Sequence, residues 1–166
     1  MKKSSFKAQG GFTFIELILV IGIIAVIATI SFLNLYDFRS KGDLDLSVRE
    51  IVSMLRNAHD RSMSQEDGAQ WGIHLENQSN GDNFYFLYEG ATTTLISKKI
   101  LSSNLQFIEP GSDANKNILF SFNGWPIING VPNSSTTVMI AFKNDSFKVG
   151  TIFINSNGQI KSSFNF

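Results

Sequence analysis

Few residues in this 166-residue chain are equipped for chemistry: 14 carboxylates, 14 lysines and arginines, two histidines and no cysteine. The absence of cysteine excludes a disulfide framework, a thiolate zinc site, an iron–sulfur cluster and a thiol nucleophile. Acid–base or metal chemistry would fall to His59 and His74, and neither stands in an H-E-x-x-H pattern. No G-x-S-x-G, G-x-x-x-x-G-K-[ST] or G-x-G-x-x-G sequence is present, so nucleophile-elbow and phosphate-cradling chemistries have no carrier. Asp113-Ala114-Asn115-Lys116-Asn117 does place oxygen side chains on alternate residues, as a calcium loop does. Ile118 then stands where such a loop turns on glycine, and Gly124 where it needs a bidentate glutamate, so a plain polar loop is expected. His59 reads as a packing or surface residue. The expectation is a protein that is not an enzyme and has no cofactor and no metal.

Glu16 poses a different problem, because it lies in an apolar run. Phe12 to Leu33 is 22 residues in which Glu16 is the one charged side chain. As a helix it is about 33 Å long at ~1.5 Å per residue, enough to cross a hydrocarbon core of about 30 Å. Before it, Met1 to Gly11 carries Lys2, Lys3 and Lys7 and no acid, which keeps that end cytoplasmic. A carboxylate at the fifth position of the run costs about 2.5–3.5 kcal/mol on insertion scales unless it is protonated or paired. A secretory signal peptide, with Val26-Ile27-Ala28 before a cut, or a plain anchor would leave that cost uncompensated. The run also exceeds the length of a signal core, about 7–15 residues.

The stretch Gly11-Phe12-Thr13-Phe14-Ile15-Glu16, after a short basic leader and before the hydrophobic run, resembles the class III signal of type IV pilins and type II secretion pseudopilins. The resemblance implies that a prepilin peptidase cuts between Gly11 and Phe12 and that Phe12 is then N-methylated. It also implies that Glu16 pairs with the amino terminus of Phe12 on a neighbouring subunit during filament assembly. A charge that is costly alone becomes a register device when paired, since opposite charges attract more strongly as the dielectric falls. Many major pilins carry a proline in this helix, whereas the first proline here is Pro110.

Behind these residues stand elements that the rest of the sequence must supply. A chain with 43% hydrophobic and 17% charged residues buries enough apolar surface to fold, and its length fits one compact domain. Equal numbers of acidic and basic residues give no surplus for gripping nucleic acid. Leu44, Val48, Ile51, Leu55 and Ala58 recur at steps of four, three, four and three, the stripe of an amphipathic helix. Gly42 weakens the helix before that stripe and marks a site for a kink or frayed turn. Gln65-Glu66-Asp67-Gly68 should end it.

From Gln70 the period changes to two. Trp71–Glu76 and Phe84–Tyr88 read as a hairpin around Asn80-Gly81-Asp82-Asn83. Further strands are expected over Thr94–Leu101, Leu105–Ile108, Ile118–Phe122, Thr137–Phe142, Lys148–Ile154 and Gln159–Lys161. The outline is α+β: a long N-terminal helix, membrane-embedded in its first half and amphipathic in its second, packed on one face of an antiparallel sheet.

The order of helix, early hairpin, Phe120-Ser121-Phe122-Asn123-Gly124 and a final Thr151–Ile160 strand-turn-strand pattern resembles the GspH/FimT branch of minor pilins and pseudopilins. That resemblance implies the pilin fold, with a leader over residues 1–11, a membrane and filament-core helix over 12–42, and a head over 43–166. It places the protein as a single-pass protein of the cytoplasmic (inner) membrane with its head outside the cytoplasm, then in a pilus or pseudopilus. Expected partners are prepilin peptidase, other pilin or pseudopilin subunits, the inner-membrane assembly platform and membrane lipid.

Two functions are open: a minor subunit that helps initiate or cap a type IV pilus or type II secretion pseudopilus, or a DNA-binding minor pilin of a competence pilus. The second would rest on Lys143, Lys148 and Lys161. Removal of the leader takes three lysines and leaves 11 basic against 14 acidic residues, a formal charge of −3, which favours the filament role.

Overall fold

A computed structural model describes residues 13–90 and 94–165. Helix α1 spans Phe14–Met63 and is followed by a short 3-10 turn, Glu66–Gly68. Ten strands come after it: β1 Trp71–Asn77, β2 Phe84–Glu89, β3 Thr94–Ile100, β4 Leu105–Glu109, β5 Ala114–Phe120, β6 Pro126–Ile128, β7 Val131–Pro132, β8 Thr136–Phe142, β9 Asp145–Ile154 and β10 Ile160–Asn165. The chain divides into two compact units, residues 1–40 and 41–166.

In the first unit the backbone is helical from Phe14 onward, and the apolar side chains from Phe14 to Ile27 are exposed. Among the described residues no helix is long and apolar enough to cross a membrane. Of the apolar run expected over 12–33, side chains are described from Thr13 to Thr29, and Phe12 and the side chains of residues 30–33 lie outside the described residues. At Gly42, where a kink or frayed turn was expected, the backbone is assigned as helix.

The second unit begins with the amphipathic part of α1. Leu44, Val48, Ile51, Leu55 and Ala58 are fully buried, so the predicted stripe is the core face, and Val52 joins it. The helix covers two sheets rather than the one expected. The six-stranded sheet runs β3-β2-β1-β5-β6-β7 and the four-stranded sheet β10-β9-β8-β4, both antiparallel throughout. The chain crosses from the first sheet to the second at β4, returns at β5 and crosses again at β8. One apolar cluster joins the helix stripe to Ile73, Leu75, Tyr85, Ile118 and Phe120 of the larger sheet and to Val138, Ile140, Ile152 and Ile154 of the smaller. Gly150 lets β9 lie close under the helix, since a Cβ there would sit 2.5 Å from Val48 Cγ2.

The helix ends where the turn residues predicted, and Ser62 fastens that end to β1. Its hydroxyl accepts from Trp71 N–H at 2.7 Å and donates to Trp71 O at 3.2 Å. Strands and turns otherwise follow the period-two pattern, apart from β9 starting at Asp145, three residues before the expected Lys148, and β10 running on to Asn165, four past the expected Lys161; two further corrections stand out. The segment Asp113–Asn117, expected as a polar loop, is largely strand: β5 starts at Ala114, four residues before the expected Ile118, and stops at Phe120. Strands β6 and β7 were not expected at all.

Lys116 explains the first correction, because it occupies an inward position of β5 that an apolar residue would normally hold. Its side chain is only 9% exposed, and its ammonium is satisfied by Glu109 of β4 and by Thr137 O of β8. The ion pair thereby ties the two sheets together.

Candidate functional site

Gly11 and Phe12, the expected cleavage and methylation positions, lie outside the described residues. Glu16 is described, in the first turn of α1, where a carboxylate faces the positive end of the helix dipole. Thr13 caps that turn. Its N–H and hydroxyl donate to Glu16 Oε2 at 3.4 Å, and Glu16 N–H donates back to Thr13 Oγ1 at 3.4 Å. This is a capping box, a Thr-x-x-Glu signature that was legible in Thr13-Phe14-Ile15-Glu16. Glu16 therefore has a local partner within its own chain, through contacts that are long and exposed.

Lys148 and Lys161 lie apart on the smaller sheet. Lys148 forms an ion pair with Asp145 at 3.3 Å. Lys143 is exposed in the turn after β8, with its N–H donating to Asn104 O. Lys161 on β10 stands opposite Phe153 of β9, five residues along that strand from Lys148. At about 3.3 Å per residue that is about 17 Å, too far for the two ammonium groups to share one phosphate.

Both histidines are held by neighbouring side chains. His74 Nδ1 lies 2.7 Å from Asn117 Oδ1 and Nε2 lies 2.8 Å from Glu76 Oε2, while its ring stacks on Phe86 at 4.7 Å. His59 sits edge-on to Phe120, with Nδ1 3.2 Å from Asp60. Among the described residues, no three His, Asp or Glu side chains are gathered as a metal site.

Two carboxylates have clear electrostatic settings. Glu50 accepts from Lys99 Nζ at 2.6 Å and from Tyr85 Oη at 2.8 Å, and the Lys99 hydrogen bond holds its pKa below the ordinary carboxylate value against the opposing effect of burial. Burial first, and the hydrogen bond and charge of Glu50 second, push the Tyr85 phenol up. Burial alone raises Tyr88 to about 12. Asp113 is lowered by the backbone N–H and then the hydroxyl of Ser79, at 2.9 and 2.7 Å.

A helix that begins beside a lone carboxylate and then packs over antiparallel sheets has its counterpart among known proteins. Residues 6–32 match the family described as the prokaryotic N-terminal methylation motif. The chain thus carries that motif near its start, and its fold is similar to the pilin fold. In particular, the structure resembles the type IV minor pilin FimU of Pseudomonas aeruginosa in two crystal forms. One matches with a TM-score of 0.55 and 17% identity over 76% of this chain and 92% of that one. The other has a TM-score of 0.51 and 17% identity over 72% and 92%. No curated protein sequence matches the chain.

Proposed function

We propose that this chain is a minor pilin or pseudopilin of the GspH/FimT type, a structural and non-catalytic subunit that helps initiate or cap a type IV pilus or type II secretion pseudopilus. The observation that carries this reading is the position of Glu16, a lone carboxylate in the first turn of an apolar helix within the matched methylation motif. On this reading prepilin peptidase removes residues 1–11, Phe12 becomes the methylated amino terminus, residues 12–42 lie in the inner membrane and then the filament core, and residues 43–166 form the head outside the cytoplasm. Its partners on this reading are prepilin peptidase, other pilin or pseudopilin subunits, the inner-membrane assembly platform and membrane lipid.

The new amino terminus of Phe12 on a neighbouring subunit displaces Thr13 as the partner of Glu16. The gain is that of a charge-assisted pair in a low dielectric over a long, exposed hydrogen bond. The DNA-uptake alternative would use Lys143, Lys148 and Lys161, and the separation of Lys148 from Lys161, with the pairing of Lys148 to Asp145, favours the filament role.

Mass spectrometry of the chain isolated from cells containing prepilin peptidase tests the reading. The expected first residue is methylated Phe12. Gly11→Val should leave uncut precursor in the membrane, and Glu16→Ala should be cut yet enter filaments poorly. A mature chain starting at Thr29, or one keeping Met1, would overturn it.

A further inference from the structure

Four Asn-Gly pairs punctuate the head: Asn80-Gly81, Asn123-Gly124, Asn129-Gly130 and Asn157-Gly158. Such a pair can react with itself, because glycine lacks the Cβ that would keep its main-chain nitrogen from reaching the asparagine side-chain carbon. The same chemistry is thus written four times, and the fold treats the copies differently.

Two copies are locked at the glycine. Gly124 N–H donates to Ser121 O and Gly158 N–H to Asn155 O, each at 2.9 Å, and both glycines are buried. The third is locked at the asparagine: Asn129 Oδ1 accepts from Asn117 N–H at 2.8 Å, and Asn129 N–H donates to Asn117 O at 3.0 Å. Asn80-Gly81 differs from all three. Both residues are exposed at the tip of the β1–β2 hairpin, and among the described residues neither the Asn80 side chain nor the Gly81 N–H makes a hydrogen bond.

We propose that Asn80 is a self-modification site of the folded protein, converting to aspartate and isoaspartate through a succinimide closed on the Gly81 nitrogen. The Gly81 nitrogen bonds to the Asn80 side-chain carbon and gives up its proton, and the side-chain nitrogen leaves as ammonia. Water then adds to either ring carbonyl and opens the ring, leaving a carboxyl group and restoring an N–H. No oxidation or reduction is involved. The product carries a new negative charge between Ser79, which holds Asp113, and Asp82. It also flanks the polar cleft whose wall includes Ser79, Gly81 and Lys143. The hairpin tip thereby records the age of the subunit as charge.

The test uses the full chain, held in detergent at neutral to mildly alkaline pH in heavy-oxygen water, with peptide mapping over time. The Asn80 peptide should gain solvent oxygen and a negative charge at least about tenfold faster than the peptides of Asn123, Asn129 and Asn157, because those turns must first open locally. In urea all four should react at similar rates. Gly81→Ala should slow Asn80 by a large factor and leave the other three unchanged, and the substitution fits the fold, since the new Cβ meets only the mobile end of Gln78. Equal rates at Asn80 and Asn123 in the folded chain would overturn the proposal. So would an unreacted Asn80 where the unfolded chain converts, or full-rate conversion in Gly81→Ala.

Discussion

Gly158 and Gly124 meet backbone to backbone: a Cβ built on Gly158 would overlap the carbonyl oxygen of Gly124. Both residues have positive φ, +84° and +78°, and His59 Nε2 lies 3.2 and 2.7 Å from their would-be Cβ positions. The two strand-turn-glycine patterns near the end of the sequence are thus one joint, closed against the last turns of α1 by His59. Gly158→Ala should cost about 2–4 kcal/mol, combining left-handed backbone strain with overpacking. Gly130→Ala has a similar φ of +85° and open space around it, so it should cost only about 1 kcal/mol. Urea midpoints of the two variants decide whether contact or strain dominates.

The helix stripe gives a second contrast on one element. Leu55 is 0% exposed and Leu46 66%. Leu55→Asp should unfold a fragment starting at Asp43, because an unpaired buried carboxylate costs several kcal/mol. Leu46→Asp should change stability by less than about 0.5 kcal/mol. A cooperative thermal transition retained in Leu55→Asp would show that the stripe is not the core.

The buried ammonium of Lys116 predicts an asymmetry between partners. Glu109→Ala leaves that charge with only Thr137 O and should destabilise the head by about 1–3 kcal/mol, the lower part of the range for broken buried pairs because Glu109 itself is 45% exposed. Replacing the lysine by an apolar side chain of similar length, Lys116→Met, removes the need for a partner and should be nearly neutral. Chemical denaturation of both variants checks the difference.

Stability should fall at both ends of the pH scale, for opposite reasons. Glu50 and Asp113 have lowered folded-state pKa values, so the stability they contribute is present above their ordinary values of 4.5 and 3.8 and is lost as pH falls through the lower folded values. Tyr85 and Tyr88 have raised values. Above pH 10.0 the unfolded chain loses phenolic protons that the fold retains, and stability declines with rising pH. Glu50→Gln should flatten part of the acid limb and Tyr88→Phe part of the alkaline limb in urea midpoints measured against pH.

Weak binding to duplex DNA follows from the scattering of the lysines. Three phosphate contacts would give a logarithmic salt slope of at best about −3, and the ion pair of Lys148 with Asp145 reduces it further. Fluorescence anisotropy at two salt concentrations should show no micromolar binding near physiological salt. Tight binding abolished by replacing Lys143, Lys148 and Lys161 together with alanine would instead establish the DNA-uptake role.

Much of this architecture was legible because periodicity is local. The stripe from Leu44 to Ala58 and the alternation of Trp71–Glu76 are written in adjacent residues, and their burial followed. The division into two sheets was not legible, since it depends on which distant strands pair, and nothing near Leu105 says that it joins Phe142. The first half of strand β5 was hidden by Lys116, whose inward position looks polar until Glu109 and Thr137 are known to meet it. Strands β6 and β7 are short and carry Pro126 and Pro132, residues that count against a strand in sequence. Of the candidate site, Glu16 stood out by its cost in an apolar run. Its capping partner Thr13 was equally readable from spacing.

The two open sheets have a further consequence, for crowding. Each sheet ends in two edge strands whose main-chain groups could template pairing with another chain. All four are blunted, by charge, by shortness or by a bulge. Strand β3 carries Lys98 and Lys99, and β7 is two residues long and ends in Pro132. A bulge breaks the register of β4 between Phe107 and Glu109, and β10 presents Lys161 among exposed serines. Heads brought side by side at high local concentration therefore stay separate folded bodies, and their neighbours can be chosen by side chains and not by indiscriminate strand exchange.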